Sequence, residues 1–521
     1  MLASQTHNHN RAAIIALALI GVALAVRVLA GPRTIDDAYI TFRYARNLAD
    51  GLGFVYNPGQ QVLGTTTPLY TVLMALAWLV GLHDLPAVAL AVNALADAGT
   101  AVLLYGLGRR LAASWVVAVA AGLAWAVSPM SVTFAIGGME TSVVILFLVG
   151  SFTAYVAGRS RLAAAAMALA VLTRPDALIA AGLLLADMVL RPLLSKSPGS
   201  SRLRRLPWAE IAVFAVILIP WVLFSSLYFG SPFPQSVQAK VQAYRLDQFS
   251  ALIRLIQHFS TPFFEGEILG QFWPAIGLPL YLILYLLGAL RGVWRSSCAL
   301  PIFIYPLAYA AVFSIANPLI FRWYLAPPLP FYFLGTLIGL EVVLNGLARI
   351  LDRDSRRRIG AWLTGLAALL LLASSLNAYT LHPDHGPDRP APEMAWFKLE
   401  QLYRQAADIV QPQLQPGDVV AAGDIGAVGW FTGAPILDTL GLISPQAVGY
   451  YPLDPSLLVI TYAISPDLIH DLKPKYLIAL EVYVRKTLLP AAWFGAEYRQ
   501  IAKLDTDTYG SDGLLIFERQ D

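Results

Sequence analysis

Long apolar runs separated by short basic clusters set the pattern from residue 12 to residue 377. A helix rises about 1.5 Å per residue, so about 20 apolar residues cross a hydrocarbon core of about 30 Å. On that measure the chain predicts crossings near 12–30, 85–108, 112–130, 141–157, 162–173, 176–191, 208–229, 271–290, 299–316, 325–347 and 359–377. Eleven crossings put the two ends on opposite sides. Residues 66–81 are also apolar, but counting them would place Arg109 and Arg110 outside, against the retention of Lys and Arg in cytoplasmic loops. Residues 36–81 are therefore read as helices lying along the membrane surface, with breaks at Gly51, Gly53, Pro58, Gly59 and Gly64. The stretches 162–173 and 176–191 are interrupted by Thr173-Arg-Pro-Asp176, which predicts a short hairpin that does not span fully on its own.

Charge sets the orientation. Arg109 with Arg110, Arg159 with Arg161, Lys196 with Arg202, Arg204 and Arg205, Arg291 with Arg295, and Arg353 with Arg356 to Arg358 fall on one side, which predicts a cytoplasmic amino terminus and an external carboxyl terminus. The first external loop is then 31–84, residues 230–270 form a polar outer loop, and 1–377 is the transmembrane domain. From 378 the composition becomes that of a soluble domain. Short β-rich runs at Val419–Ala422, Ala434–Leu437, Tyr476–Leu480 and Leu514–Phe517, with a helical stretch at 393–410, predict an external α/β domain over 378–521. The fold class is a mainly α, polytopic membrane protein of about eleven helices, with surface helices in its first external loop and this C-terminal α/β domain.

Composition agrees, since 57% of the 521 residues are apolar and 13% charged, against about 25% charged in soluble domains. A net charge of +3 is too small to imply a nucleic-acid partner. One cysteine, Cys298, excludes a disulfide framework or a cysteine metal site within the chain. Residues 12–30 lack a clean small-residue cleavage site, which predicts a retained helix.

The chemistry concentrates in Thr34-Ile-Asp-Asp-Ala-Tyr-Ile-Thr-Phe-Arg-Tyr-Ala-Arg, just beyond the first crossing. If Thr34 caps a helix, Asp36 and Asp37 sit in its first turn, where acids meet backbone N–H groups; Thr34-x-x-Asp37 is close to a capping box, so a purely structural role is one reading. The other is catalytic, because the pair follows a membrane helix directly among Arg27, Arg33, Arg43 and Arg46. Arg27, in the last turn of the first crossing, either snorkels to headgroups or pairs with a carboxylate or a lipid phosphate. Arg174 and Arg322 are phosphate candidates through their planar forks of donors, although Arg174 can pair with Asp176 and Arg322 can belong to an interfacial aromatic belt. Lys240 is a weaker candidate, since outer-loop lysines are usually solvated. Gly423-x-x-Gly426-x-x-Gly429 lacks the spacing of a dinucleotide loop and reads as packing glycines.

Asp36-Asp37-Ala-Tyr-Ile-Thr-Phe-Arg-Tyr-Ala-Arg-Asn-Leu, Gly53-Phe-Val-Tyr-Asn-Pro-Gly, Arg322-Trp-Tyr-Leu-Ala-Pro-Pro-Leu-Pro, Gly423-Asp-Ile-Gly and Leu440-Gly-Leu-Ile-Ser-Pro together give the chain its family likeness. It resembles the GT-C glycosyltransferases, integral membrane enzymes that use polyprenyl-phosphate sugars, and most closely bacterial cell-envelope members: mycobacterial arabinofuranosyltransferases and lipid A aminoarabinose or protein mannose transferases. The resemblance implies transfer from a polyprenyl-phosphate sugar to a glycan, lipid or protein acceptor on the outer face of the cytoplasmic membrane. It makes Asp36 or Asp37 the catalytic acid, with Asp36 the first choice as base and Asp37 orienting it or sharing a metal. It adds Arg27, Tyr39, Arg43, Glu140, Arg174, Lys240 and Arg322 as substrate-binding candidates, Glu140 facing the cavity or else acting as a helix N-terminal acid. A divalent cation, should the reaction use one, would fall to Asp36, Asp37 and Glu140. Inversion is expected by analogy with a single carboxylate pair on one side of the bond. The aminoarabinose branch carries a lysine near the position of Thr67-Pro68, which this chain lacks, so phosphate contacts fall to arginine. A transporter or flippase is the alternative class, since intramembrane charges and broken helices also mark substrate paths.

Overall fold

The computed structural model describes residues 2–112, 114–194, 206–351, 356–377 and 395–520. The apolar runs become α1 (Leu2–Val28), α4 (Leu85–Leu111), α5 (Trp115–Val127), α6 (Pro129–Ile136), α7 (Thr141–Val156), α8 (Ser160–Thr173), α9 (Leu178–Leu194), α10 (Trp208–Phe229), α14 (Trp273–Arg295), α15 (Leu300–Ala316), α16 (Leu329–Leu351) and α17 (Arg356–Asn377). Among the described residues eight helices are long and apolar enough to cross a bilayer, or nine when α5 and α6 count as one span bent by 43°. The bend sits at Ser128-Pro129, where proline removes a backbone donor and cannot continue the preceding turn. The segment expected to end at 130 therefore runs on to Ile136. α7 and α8 are apolar but short of a full crossing, at about 24 and 21 Å. The basic clusters at 196–205 and at Arg353, and the boundary at 378, lie outside the described residues.

Helices pack through small residues, as expected where lipid supplies no hydrophobic drive between them. Gly335 and Gly339 lie four apart on α16, and a Cβ on Gly339 would overlap the Leu284 carbonyl of α14. Gly288 of α14 meets the Gly335 backbone in the same way. Arg27 is fully buried between α1, α4 and α5: Nε donates to Asp97 Oδ2 at 2.8 Å, Nη1 to the Ala23 and Ala126 carbonyls, and Nη2 to Ser131 Oγ at 2.5 Å. Trp125 Nε1 and Ser142 Oγ complete the shell of Asp97. Four hydrogen bonds and a carboxylate thus surround the guanidinium, which is what a charge needs inside a bundle.

The first external loop forms α2 (Asp36–Ala49) and α3 (Pro68–Leu79). α3 is about 18 Å long, too short to cross. α2 is capped by Ile35, not Thr34, and no side chain makes a cap hydrogen bond, so the capping box weighed as the structural reading of Thr34 and Asp37 does not form. The outer loop 230–270 folds into α11 (Gln235–Ala243), α12 (Ser250–Ser260) and α13 (Gly266–Leu269).

The C-terminal unit contains α18 (Ala395–Val410), β1 (Val420–Ala422), α19 (Gly426–Thr432), β2 (Ile436–Asp438), α20 (Pro466–Leu472), β3 (Tyr476–Leu480), α21 (Glu481–Val484), α22 (Ala492–Glu497), β4 (Tyr498–Leu504) and β5 (Leu514–Arg519). Its sheet has the order β2-β1-β3-β5-β4. β2, β1 and β3 run parallel, with Ala421 beside Leu437 and Leu477, while β5 is antiparallel to β3 and β4. The four predicted strands are all present. β4 has no counterpart in the predicted set, because an edge strand alternating little and largely open to solvent carries no apolar run.

Candidate active site

Two adjoining cavities of about 440 and 480 Å³ open where the first external loop, the outer loop and the C-terminal unit meet. Each is within the size of small-molecule sites. The first is lined by Asp37, Thr65 to Thr67, Glu140, Arg174, Lys240 and Arg245 together with apolar groups such as Val237, Val241 and Leu319. The second is lined by Asp36, Asp37, Lys240, Arg254, Arg322 and Asp424, with tyrosines from the C-terminal unit. Asp37 and Lys240 are the charged residues that line both.

The two neighbouring aspartates are held differently. Asp36 Oδ2 accepts from Gly426 N at 2.9 Å and Oδ1 from Ala427 N at 2.7 Å, at the first turn of α19. The residue in the capping position of that helix is Ile425, which has no side-chain acceptor, so Asp36 satisfies these amides from across the interface. Gly426 is glycine for the same reason, since a Cβ there would run into the Asp36 carbonyl. Asp37 makes no such bond to α19; it lines both cavities, as does Lys240, whose charge acts on it.

Around them the first loop grips the C-terminal unit. Arg43 Nε donates to the Tyr56 carbonyl at 3.0 Å, Nη1 to Gly429 O at 2.6 Å and Nη2 to Ala434 O at 2.7 Å. Tyr56 Oη donates to Ile425 O at 2.5 Å, and Asn57 exchanges hydrogen bonds with the Ile436 backbone. Tyr39 Oη donates to Glu400 Oε1 of α18 at 3.1 Å. The Gly53-to-Gly59 run is thus a docking loop. Arg27, Tyr39 and Arg43 line neither cavity, and their polar groups are occupied by the protein itself.

Arg174 and Glu140 do reach the first cavity, but as a set. Arg174 Nη2 contacts Asp176 Oδ2 at 2.7 Å and its Nη1 lies 3.7 Å from Glu140 Oε1, so two carboxylates flank one guanidinium. The pairing of Arg174 with Asp176 read from the sequence is present. Arg322 lines the second cavity, and Lys240, the weaker candidate on sequence, lines both and lies 4.8 Å above the Phe321 ring. No group of three or more His, Cys, Asp or Glu side chains among the described residues has the arrangement to hold a metal ion. Asp36, Asp37 and Glu140 do not fit a cation here, because the amides of α19 occupy Asp36 and Arg174 faces Glu140.

The sequence reading did not single out Asp424, which enters from the loop after β1. Its Oδ2 accepts from Tyr403 Oη, and from Tyr483 Oη at 3.4 Å. Burial pushes the Asp424 carboxyl up to about 6, the Tyr403 hydrogen bond opposing and the Asp37 charge adding to the rise. Asp36 is raised well above the usual carboxylate range by burial and by Asp424, against the two amide hydrogen bonds. Burial also raises Asp37, and the Lys240 charge pulls it back. Each of these three acids, crowded in one poorly hydrated place, therefore holds its proton to higher pH than a free carboxyl does.

A family model described as a domain of unknown function (DUF8728) matches residues 393–517, the C-terminal unit. No curated protein matches the sequence. Among solved structures, ArnT from Cupriavidus metallidurans bound to undecaprenyl phosphate superposes with a TM-score of 0.55 at 15% identity, covering 98% of this chain and 98% of its own. The archaeal oligosaccharyltransferase AglB from Archaeoglobus fulgidus, in complex with an inhibitory peptide and a dolichol-phosphate, gives 0.52 at 13% identity, covering 91% of this chain and 70% of its own. At such identities the likeness is one of fold, the GT-C-like polytopic fold expected from the sequence.

Proposed function

We propose that this protein transfers a sugar from a polyprenyl-phosphate carrier to an acceptor hydroxyl at the outer face of the cytoplasmic membrane. The observation that carries this reading is that Asp37 and Lys240 line both cavities, so that a carboxyl group and a cation stand where the two adjoin. The bound prenyl phosphates of the two fold neighbours support the donor class.

In this reading the donor occupies the first cavity, whose apolar wall suits the start of a prenyl chain, and the acceptor approaches through the second. Asp37 removes the proton of the acceptor hydroxyl as that oxygen bonds to the anomeric carbon and the bond from this carbon to the phosphate oxygen breaks. Lys240 stabilises the charge growing on the departing phosphate, with Arg322 and Arg254 adding positive charge from the second cavity. Asp36, first choice as base on sequence, is reassigned to holding α19, because its oxygens already accept two amides. Arg174 is balanced by Asp176 and Glu140 and orients the cavity wall.

The test is transfer or hydrolysis of a panel of radiolabelled polyprenyl-phosphate sugars by the purified protein in detergent, where transport has no compartments to act across. Asp37→Asn should lower turnover by about 10²- to 10⁴-fold, the usual contribution of a general base. An Asp37→Asn protein that folds and keeps full turnover overturns the assignment.

A further inference from the structure

The wall of the second cavity that belongs to the C-terminal unit has a chemistry of its own. Tyr462 and Tyr483 meet at 5.3 Å with their planes 73° apart, forming an aromatic corner. Tyr509 stands at the rim, 39% exposed, with φ of 59°, a left-handed conformation that side chains rarely adopt. Such strain is kept where the surroundings over-determine it, commonly at ligand sites. Asp424 projects between these rings and α18. Both tyrosine hydroxyls that reach it are bonded to Oδ2, and no hydrogen bond to Oδ1 is formed among the described residues. A carboxylate oxygen is a pure acceptor and can take hydroxyl donors.

The lining also carries two arginines, Arg322 next to Phe321 and Arg254 on α12, whose charges both act on His258 of α12 and not on Asp424. An anion is drawn to the arginines, whereas Asp36, Asp37 and Asp424 repel it from the tyrosine side. What the tyrosine side does favour is a neutral ring with an apolar C–H face for an aromatic surface and a rim of hydroxyls for a carboxylate.

Resting on the transferase reading, we propose that Asp424 with the Tyr462, Tyr483 and Tyr509 rings forms the acceptor subsite, and that the acceptor is a neutral sugar residue of a glycan. One face of the sugar stacks in the aromatic corner while a hydroxyl donates to Asp424 Oδ1. A neighbouring hydroxyl is thereby presented to Asp37. The C-terminal unit then selects the acceptor, and the membrane helices hold the donor.

The test uses the full chain in lipid nanodiscs and saturation-transfer difference NMR without donor. The probes are neutral tetrasaccharides of mannose, galactose and arabinose, mannose 6-phosphate, and a Ser/Thr-containing octapeptide. A neutral tetrasaccharide should bind, Asp424→Asn and Tyr483→Ala should each weaken it at least tenfold, and Tyr483→Phe, which keeps the ring, should stay within about threefold. Binding of mannose 6-phosphate or the peptide alone, or tetrasaccharide binding indifferent to Asp424→Asn or to Tyr483→Ala, overturns the proposal. Hydrolysis of the labelled donor is followed in parallel. Donor turnover without tetrasaccharide binding removes the subsite and leaves the transferase. Tetrasaccharide binding with no donor turnover upholds the sugar site and removes the transferase.

Discussion

Adjacent residues with the same side chain carry different burdens here. Asp36 and Asp37 are separated by about 100° on a helix, enough to aim one at the amides of α19 and leave the other lining the cavities with Lys240. The sequence showed the acidic pair but could not divide it, because the partners that decide, Gly426 and Ala427, lie 390 and 391 residues away. A separation of 386 residues likewise hid the role of Arg43, which bonds Gly429, and nothing near Lys240 in the chain marked it as more than the weaker candidate. The division has a pH signature. Burial raises Asp37 and the Lys240 charge lowers it. A general base works when ionised, so the rate rises with pH through its raised value, placing the acid limb of kcat/KM above the ordinary aspartate range of about 3.9. Lys240→Met removes the lowering influence, and the limb should move to still higher pH while the plateau falls. The measurement is kcat/KM from pH 4 to 9 for both proteins. A limb that stays put or moves down would separate Asp37 from Lys240.

At the scale of elements, the apolar helices were legible because hydropathy over about 20 residues is a strong signal that tertiary context rarely reverses. What escaped was punctuation and edges: the bend at Pro129, the cap at Ile35 and the edge strand β4. Each depends on one residue or on packing rather than on a run. The glycines of Gly423-x-x-Gly426-x-x-Gly429 were read as packing residues; Gly423 packs within the C-terminal unit, against Tyr462 and Tyr483, whereas Gly426 and Gly429 pack against the first external loop. A Cβ on Gly426 would meet Asp36, and one on Gly429 would meet the Tyr56 hydroxyl and Arg43. Gly426→Ala should therefore cost about 1–3 kcal/mol, as overpacking does, lowering Tm in detergent and turnover together. Gly449→Ala, where a Cβ meets nothing within 4 Å, should leave both unchanged. Equal Tm values for the two variants would mean that α19 does not rest on the loop as described.

For the whole molecule, the site has no single owner. Asp37 comes from the first external loop, Lys240 from α11 and Asp424 from the C-terminal unit, so the distances among them depend on how firmly that unit is seated. Arg43 supplies much of the seating: it is buried, bonds Gly429 and Ala434 in the C-terminal unit, and lies over the Tyr56 ring at 4.3 Å. Hydrogen bonds to a charged group contribute about 1.5–3 kcal/mol each when lost, and their removal leaves two carbonyls without the donor that faces them. Arg43→Met keeps the buried stem and removes the fork. If seating assembles the site, this variant should lower kcat at least tenfold although residue 43 lines neither cavity. Hydrogen exchange should quicken in 53–59 and 423–434 but not in α14 and α16, whose packing does not involve this contact. A rate loss with unchanged exchange would instead place Arg43 in the chemistry, and faster exchange with full activity would mean that the acids meet without the clamp.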